Sequence, residues 1–130
     1  MASILKVDDL RGNTAAGNIT ITSEGGSATM QLQQGMVKGF VGNYNLSGGA
    51  LGDSFNVSSV TDYDTGYARP NWSNAFSNAN YAHVAIDDNY GNTQGSISGQ
   101  TTTQARAVSY NSSWTRTDCR FNTVAVGDLA

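Results

Sequence analysis

The sequence has few of the residues that mark several common protein classes. Only 13% of its 130 residues are charged, against about 25% in an average globular chain, and it contains one proline and one cysteine. The single cysteine, Cys119, excludes an intrachain disulfide and a multi-thiolate metal site, and it is interpreted as a small buried apolar residue. No apolar run reaches the length of about 18 residues that a membrane-spanning helix needs, which predicts no membrane insertion.

Positive charge is scarce as well. The chain has seven Lys and Arg against ten Asp and Glu, a net charge of −3, and the basic residues do not cluster in the sequence. Because a nucleic-acid backbone would on balance be repelled, this composition predicts no nucleic-acid partner. Residues 1–9 are acidic and lack the long apolar core of a secretory signal, which predicts that the product stays in the producing cell unless it leaves inside a particle.

Glycine, serine, threonine and asparagine take the place of the missing charged residues. Helix formers are few, whereas Thr, Val and Tyr favour strands, so the composition indicates an all-β fold. Short alternating segments about ten residues apart are typical of an antiparallel sandwich or barrel. The segments predicted as strands are 3–7, 18–22, 36–45, 54–60, 67–72, 81–86, 104–110 and 120–126.

Two segments of this pattern are irregular. Residues 30–34 fit either a strand or one helical turn, and the pattern alone does not separate the two. In the last strand the apolar residues Phe121, Val124 and Val126 do not keep a period of two, so the alternation is predicted to slip between Asn122 and Thr123.

The centre of the chain, residues 54–87, reads as three strands joined by turns at 62–66 and 78–80. Its motifs SFNVSSVTD, TGY and NAFSNANYA resemble those of short tail-fibre-like structural proteins of marine tailed phages, as do the N-terminal 35 residues and the C-terminal VAVGDLA. Members of that group are virion components, usually β-rich and often trimeric, and several display receptor-binding ends. The resemblance implies a trimeric virion protein that is assembled in the host cytoplasm and has no catalytic residue.

The chain departs from that group directly after the Thr-Gly turn. Relatives tend to have an alternating apolar run there, whereas this sequence has Ala68, Arg69, Pro70 and Asn71. Proline lacks the N–H that a ladder between strands needs. We therefore predict that the strand at 67–72 lies at the edge of its sheet.

The first 35 residues have too few large apolar side chains to fold alone, because fixing the backbone costs about 1–2 kcal/mol per residue. We predict an extended N-terminal assembly arm over residues 1–35 that docks onto other copies in a homotrimer, followed by an antiparallel β-sandwich-like domain over residues 36–130. A strand pair packed onto its own domain is the alternative. The candidate oligomer contacts are Ile4, Leu5, Val7, Leu10, Ile19, Ile21, Met30 and Leu32.

Residues capable of acid–base or metal chemistry do not form a recognisable motif. His83 lies within a strand segment and is interpreted as structural. Asp62 and Asp64 alternate on one face, and Asp87 with Asp88 forms an acidic turn; such pairs suit glycoside hydrolysis or Ca²⁺ binding, but turn formation is the default. We predict no catalytic residue, no metal and no cofactor, and keep depolymerisation of a host polysaccharide as the enzymatic alternative.

Aromatic side chains beside predicted turns are the candidate binding residues. Rings flanked by Asn, Asp and Arg suit stacking on sugars and equally suit protein contact, and ordinary partial burial is the alternative. The predicted function is a non-enzymatic virion protein of tail-fibre type that binds a host surface glycan or protein through its loops and contacts other virion proteins. A capsid decoration protein that cements the head shell is the alternative. The candidate receptor contacts are Tyr63, Tyr67, Trp72, Tyr90 and Trp114.

Overall fold

The regular structure of the described residues is entirely β. The computed structural model describes residues 4–14, 19–22, 26, 28–32, 35–49, 51–87, 94–95 and 99–130. Within these ranges all strand pairings are antiparallel and no helix occurs, so the predicted all-β class is confirmed. It follows that these ranges hold no helix long and apolar enough to cross a membrane. The chain divides into two compact units, Met1–Met36 and Val37–Ala130.

The first unit contains one short antiparallel pair in its described part, β1 (Thr20–Thr22) and β2 (Thr29–Gln31). The Leu32 N–H extends the ladder to the Ile19 carbonyl at 2.7 Å. For residues 30–31 the open choice is therefore resolved in favour of a strand, whereas residues 33–34 lie outside the described ranges.

Residues 4–7 were predicted to form a strand and have no regular secondary structure. A strand persists only when its N–H and C=O groups bond to a neighbouring strand. No strand pairing involves this stretch among the described residues, so the alternating pattern alone is not sufficient there.

In its described residues, the second unit forms two four-stranded sheets. Its strands are β3 (Gly39–Asn45), β4 (Ser54–Phe55), β5 (Val57–Asp64), β6 (Tyr67–Trp72), β7 (Ala82–Asp87), β8 (Gln94–Gly95), β9 (Ala107–Val108) and β10 (Arg120–Val126). The first sheet, here called the β10 sheet, has the order β4-β3-β10-β7. The second, the β6 sheet, has the order β5-β6-β9-β8.

The two sheets of this unit bury side chains in shared clusters, as the layers of a sandwich do. Five of the buried residues are alanines, which leave room between the layers for a few large rings. Gly39 shows how tight the packing is, because a Cβ at this position would lie 2.7 Å from the Trp72 indole. One cluster contains Val41, Tyr44, Leu46, Ala68, Ala85, Ala107 and Phe121, and the other contains Trp72, Phe76, Tyr81, Ala105 and Ala125. This arrangement is consistent with the predicted sandwich-like fold.

A single residue, Asn56, carries the chain from one sheet to the other. β4 ends at Phe55 in the β10 sheet, β5 begins at Val57 in the β6 sheet, and Asn56 between them has a φ of 55°. Asparagine tolerates this left-handed region better than most residues. Its Nδ2 donates to the carbonyls of Lys38 (2.9 Å) and Asn74 (3.1 Å), and its Oδ1 accepts from the Asn74 N–H (2.7 Å). These bonds fix the corner.

β6 lies inside its sheet, between β5 and β9, so the predicted edge position is wrong. The carbonyl of Pro70 accepts a hydrogen bond from the Ala105 N–H at 3.1 Å. In a strand, the N–H and C=O of one residue point to the same side, so the N–H that Pro70 lacks would face the β9 side. The β5 ladder, in which Pro70 lies opposite Val60, consequently loses no donor.

β10 keeps a strict period of two, and the predicted slip in its alternation is wrong. Phe121, Thr123 and Ala125 are buried, whereas Val124 faces outward. The apolar residues lose their period because a threonine and an alanine take inward positions. An irregularity does exist in the pairing of β10 with β3, where the register shifts between Phe121 and Thr123.

Candidate ligand-binding face

β6 places aromatic and polar side chains on the outer face of its sheet. Alternate residues of this strand are buried against the core, with Ala68 in one cluster and Trp72 in the other. The intervening residues, Tyr67, Arg69 and Asn71, therefore face away from the core. Together with neighbours from adjacent segments they form a surface called here the arginine face, which comprises Tyr63, Tyr67, Arg69, Asn71, Gln104, Arg106 and Arg116.

Three arginines of this face converge on the ring of Tyr67. The guanidinium carbons of Arg106, Arg69 and Arg116 lie 4.5, 5.3 and 5.8 Å from its centroid. Arg69 Nε also donates to Tyr67 Oη at 2.7 Å, and its guanidinium lies 4.6 Å from the centroid of Tyr63. Guanidinium groups stack favourably on aromatic rings. The two rings, whose centroids are 4.8 Å apart, therefore hold Arg69 in one orientation.

A hydrogen-bonded amide ladder crosses three segments beside these arginines. Asn71 Nδ2 donates to Ser59 Oγ (3.0 Å) and Thr61 Oγ1 (2.9 Å) on β5. Gln104 Nε2 donates to Asn71 Oδ1 at 2.6 Å, and Gln104 Oε1 accepts from Arg69 Nη1 at 3.4 Å. The ladder fixes both amides, so the outer surface of this sheet is ordered by its own side chains.

The arginine face concentrates positive charge in a chain whose net charge is negative, since it holds three of the seven basic residues. The register of β6 and β9 sets Arg106 opposite Arg69. Like charges directly opposite each other destabilise a sheet. Asp64 offsets the positive charge of the arginine face only in part. Its carboxylate lies 3.7 Å from Arg116 Nη1, but both side chains are exposed, which weakens the ion pair. Features that cost folding stability are commonly found at functional surfaces.

Two of the candidate receptor contacts are accessible. Tyr63 is 60% exposed and belongs to the arginine face. Trp114 is 64% exposed, has a φ of 58°, and its ring centroid lies 6.0 Å from that of Tyr110. Both remain candidates for contact with a partner.

Tyr67 and Trp72 are buried, with 6% and 5% of their surface exposed, so contrary to the prediction they are not accessible to a receptor. Each lies next to a turn in the sequence but belongs to β6. The arginines surround the Tyr67 ring, and Trp72 belongs to the core, where its Nε1 donates to Tyr81 Oη at 3.0 Å. Tyr90, a further candidate, lies outside the described residues.

His83 is a half-buried residue that packs beside Trp72. Its ring lies edge-on to Trp72, with centroids 6.3 Å apart. Within the described ranges neither ring nitrogen has a hydrogen-bond partner. Burial lowers the pKa of His83 to about 4, so the imidazole is neutral at pH 7.

Asp62 and Asp64 do not share a face, so that expectation is wrong. The register between β5 and β6 shifts between them, and they oppose successive residues, Ala68 and Tyr67, which face opposite sides of β6. Burial raises the pKa of the core residue Tyr44, and the charge of Asp62 raises it further. A pair of carboxylates on opposite sides of a strand does not flank a common substrate, as glycoside hydrolysis requires.

The other residues considered for catalysis or metal binding do not form a common site among the described residues either. Asp87 is buried on the inner side of β7, and Asp88 lies outside the described residues. Cys119 is buried, as the sequence predicted. In the part of the chain that the structure describes, no group of three or more His, Cys, Asp or Glu side chains could hold a metal ion.

The outer face of the β10 sheet is apolar where that of the β6 sheet is polar. One row crosses all four strands, with Phe55 opposite Phe40, Phe40 opposite Val124, and Val124 opposite Val84. The rings of Phe40 and Phe55 stack at 6.3 Å, and Phe55, Val124 and Val84 are 52%, 44% and 67% exposed. Ile86, two residues further along β7, is exposed as well. Phe55, Phe40, Val124 and Val84 are called here the apolar row.

The candidate oligomer contacts of the first unit are mostly exposed. Ile4 and Leu5 are the most accessible, at 78% and 77%. That other copies of the chain cover these side chains in an assembly stays a prediction. The remaining exposed members are Val7, Leu10, Ile21 and Met30, and the half-buried members are Ile19 and Leu32.

Arg69 and Arg106 were not among the residues predicted to form a site. The signal that would have found them is an arginine set between small or apolar inward residues, A-R-P at 68–70 and A-R-A at 105–107. In a strand this pattern turns the arginine outward. The pairing that joins the two segments spans more than thirty residues and is not visible in either segment alone.

Comparisons with known proteins add no family to this description. No protein-family model, curated protein or solved structure matches the chain. The resemblance to tail-fibre-like phage proteins stays a prediction from the sequence motifs.

Proposed function

We propose that the protein is a non-enzymatic structural component of a phage virion, of tail-fibre type, which forms a homotrimer and binds a host surface receptor. The observation that carries this proposal is the arginine face, where guanidinium, amide, hydroxyl and phenol groups are held in fixed positions on a sheet. Groups held by strands bind more selectively than groups on mobile loops. The motif resemblance to tail-fibre-like proteins supplies the virion setting.

Adhesion by such a particle works through many weak contacts. When several copies sit on one particle, each contact after the first is effectively intramolecular, so overall binding exceeds that of one copy by orders of magnitude. A face with a few fixed arginines and one exposed ring, Tyr63, is suited to a contact of this kind. The proposed receptor surface is therefore the outer face of the β6 sheet, with Trp114 as a second candidate contact.

The proposed trimer is held by residues 1–35 acting as an assembly arm. Its support is the exposure of Ile4, Leu5 and Val7, at 78%, 77% and 53%, because apolar side chains in such number are normally covered by a partner. The apolar row is a second candidate subunit contact, because exposed apolar side chains that lie side by side on a sheet are normally covered by a partner.

Deleting residues 1–35 tests this assembly. We expect the full chain to be trimeric and the truncated chain to be monomeric in light scattering, because the arm supplies most of the subunit contact. A binding assay on a glycan array then checks adhesion, with the full chain expected to bind and the monomer to bind weakly through loss of multivalency. A truncated chain that stays trimeric would contradict the arm, and a full chain that binds neither glycans nor host cells would contradict the receptor function.

A capsid decoration protein is the second candidate function, and the apolar row favours it. An apolar surface across four strands suits contact with a neighbouring shell protein, which a purely receptor-binding domain does not need. Cryo-electron microscopy of the particle separates the two candidates. Density on the head lattice, with the apolar row covered, would favour cement, whereas density on a projecting fibre would favour the tail-fibre role.

A further inference from the structure

We infer that the arginine face binds an acidic glycan, one whose sugars carry carboxylate or sulfate groups, and this inference rests on the receptor function proposed above. The ligand group is an oxyanion attached to a saccharide. The site is the part of the arginine face formed by Arg69, Arg106 and Arg116 around Tyr67, with the exposed Tyr63 beside them.

Arg69 is the residue best prepared to bind an oxyanion. A guanidinium has five N–H donors in one plane. In the described residues one of them goes to Tyr67 Oη and a second, at the longer distance of 3.4 Å, to Gln104 Oε1. The other donors lie in the same plane, and a planar pair of donors binds carboxylate or sulfate through two parallel hydrogen bonds.

The backbone next to this guanidinium carries a glycine, Gly99. Gly99 has a φ of +85°, and a Cβ at this position would lie 3.4 Å from Arg69 Nη2. A side chain there would occupy space next to Arg69 Nη2. Glycine leaves that space to a ligand while it meets the conformational requirement of the backbone.

The neighbouring groups match the rest of a sugar ring. Tyr63 offers an exposed aromatic surface, which stacks on the C–H face of a pyranose. Ser59 and Thr61 are exposed hydroxyls beside the amides of Asn71 and Gln104, and such groups bond to sugar hydroxyls. Charge recognition at the arginines and ring recognition at Tyr63 together select a charged saccharide over a simple anion.

A nucleic acid fits this face less well, although it is also a polyanion. Long-range attraction to a phosphate backbone depends on many basic residues, and the whole chain has a net charge of −3. Three arginines around one ring suffice for a single charged group at short range but not for a charged strand.

Binding measurements on the full chain test the inference. The probes are polygalacturonate for carboxylates, dextran sulfate for sulfates, neutral dextran, and a single-stranded DNA oligonucleotide, each measured at low and high salt. The variants are Arg69→Gln and Arg116→Gln, with Arg120→Gln as the matched control. Arg120 is an exposed arginine on the β10 sheet, opposite Asn45, so its substitution removes the same charge from the other side of the unit. Thermal unfolding of each variant checks that the fold is retained. Arg116→Gln is included because 41% of the Arg116 side chain is exposed, so this substitution leaves the core unchanged.

We expect one or both acidic polysaccharides to bind, with affinity that falls as salt rises, and neutral dextran not to bind. Arg69→Gln and Arg116→Gln should each weaken this binding about tenfold, the size of one charged hydrogen bond, whereas Arg120→Gln should change it less than about twofold. Equal losses in all three variants, or stronger binding of DNA than of either polysaccharide, would overturn the inference. A chain that binds host cells or neutral glycans but neither acidic probe overturns the inference and leaves the receptor function standing, whereas a chain that binds none of these contradicts both.

Discussion

The two sheets of the second unit have a common core but opposite chemistry on their outer faces. The β6 sheet shows arginines, amides and hydroxyls that bond to one another, whereas the β10 sheet shows the apolar row of Phe55, Phe40, Val124 and Val84. Inward positions on both sheets are similar, with alanines and a few large rings. This difference indicates that the inward residues determine the fold, whereas the outward residues differ between the two sheets and suit two kinds of contact.

The strongest test of this division compares an inward with an outward phenylalanine on the same sheet. Phe121→Ala should lower the free energy of unfolding by about 3–5 kcal/mol, because Phe121 is 1% exposed and its loss leaves a cavity. Phe55→Ala should cost about 1 kcal/mol, since Phe55 is half exposed and loses mainly its stacking on Phe40. Urea denaturation measures both, and similar losses would contradict the division.

The second test measures how the free energy of unfolding depends on pH through His83. The folded-state pKa of His83, about 4, lies below its ordinary value of 6.5, so the unfolded chain binds the proton more readily. Stability contributed by the neutral ring is present above pH 6.5 and is lost as pH falls towards 4, by about 3 kcal/mol in total. Unfolding measured across this range should show a steeper decline for the wild type than for His83→Leu, which keeps an apolar group beside Trp72. Parallel declines would mean that the ring is not desolvated in the folded protein.

The amide ladder provides a third, smaller effect on the polar face. Asn71→Ala should destabilise the protein by about 1 kcal/mol, because Gln104 and two exposed β5 hydroxyls lose their hydrogen bonds to this side chain. Asn80→Ala, at an exposed turn, is the matched control and should change stability by less than about 0.5 kcal/mol. Thermal unfolding checks the pair, and an equal response would show that the polar face is not ordered by these bonds.

The smallest expected effect on stability concerns the apolar row. Val84→Lys should change the free energy of unfolding by less than about 0.5 kcal/mol, since Val84 is 67% exposed. It should nevertheless reduce self-association in light scattering if the row is a subunit contact, because the lysine charge would then be buried in an apolar interface without a partner. Val84→Thr keeps the shape without the charge and should have the weaker effect. Unchanged assembly in both variants would remove the row from the proposed interface.

Local alternation predicted much of this fold. β3, β7 and β10 lie within or close to the predicted segments, because each has branched or aromatic residues flanked by turn residues. Alternation did not predict which side of a strand is buried. In β7 the inward residues are Ala85 and Asp87, whereas the larger apolar residues Val84 and Ile86 face out. Hydrophobicity ranks residues by size, but closely packed layers select small residues.

The candidate site was predictable only in part. Tyr63 was identified because it lies beside a turn, but Arg69 and Arg106 form a site only when β6 pairs with β9, a contact between segments far apart in the sequence. The edge position predicted for β6 from Pro70 is wrong because an internal strand tolerates proline where its missing N–H falls on an interrupted ladder. Long-range register, rather than composition, creates this surface.

The irregular edge strands of the second unit have a consequence for how copies of this chain behave when many are synthesised together. β4, at the edge of the β10 sheet, is two residues long, and the ladder of β5, at the edge of the β6 sheet, shifts register at two places. Short or bulged edges that carry carboxylates, as β5 does, offer little continuous backbone for a foreign strand to join. Fibrous aggregation through these two edges is therefore disfavoured, even when many newly made molecules are present together.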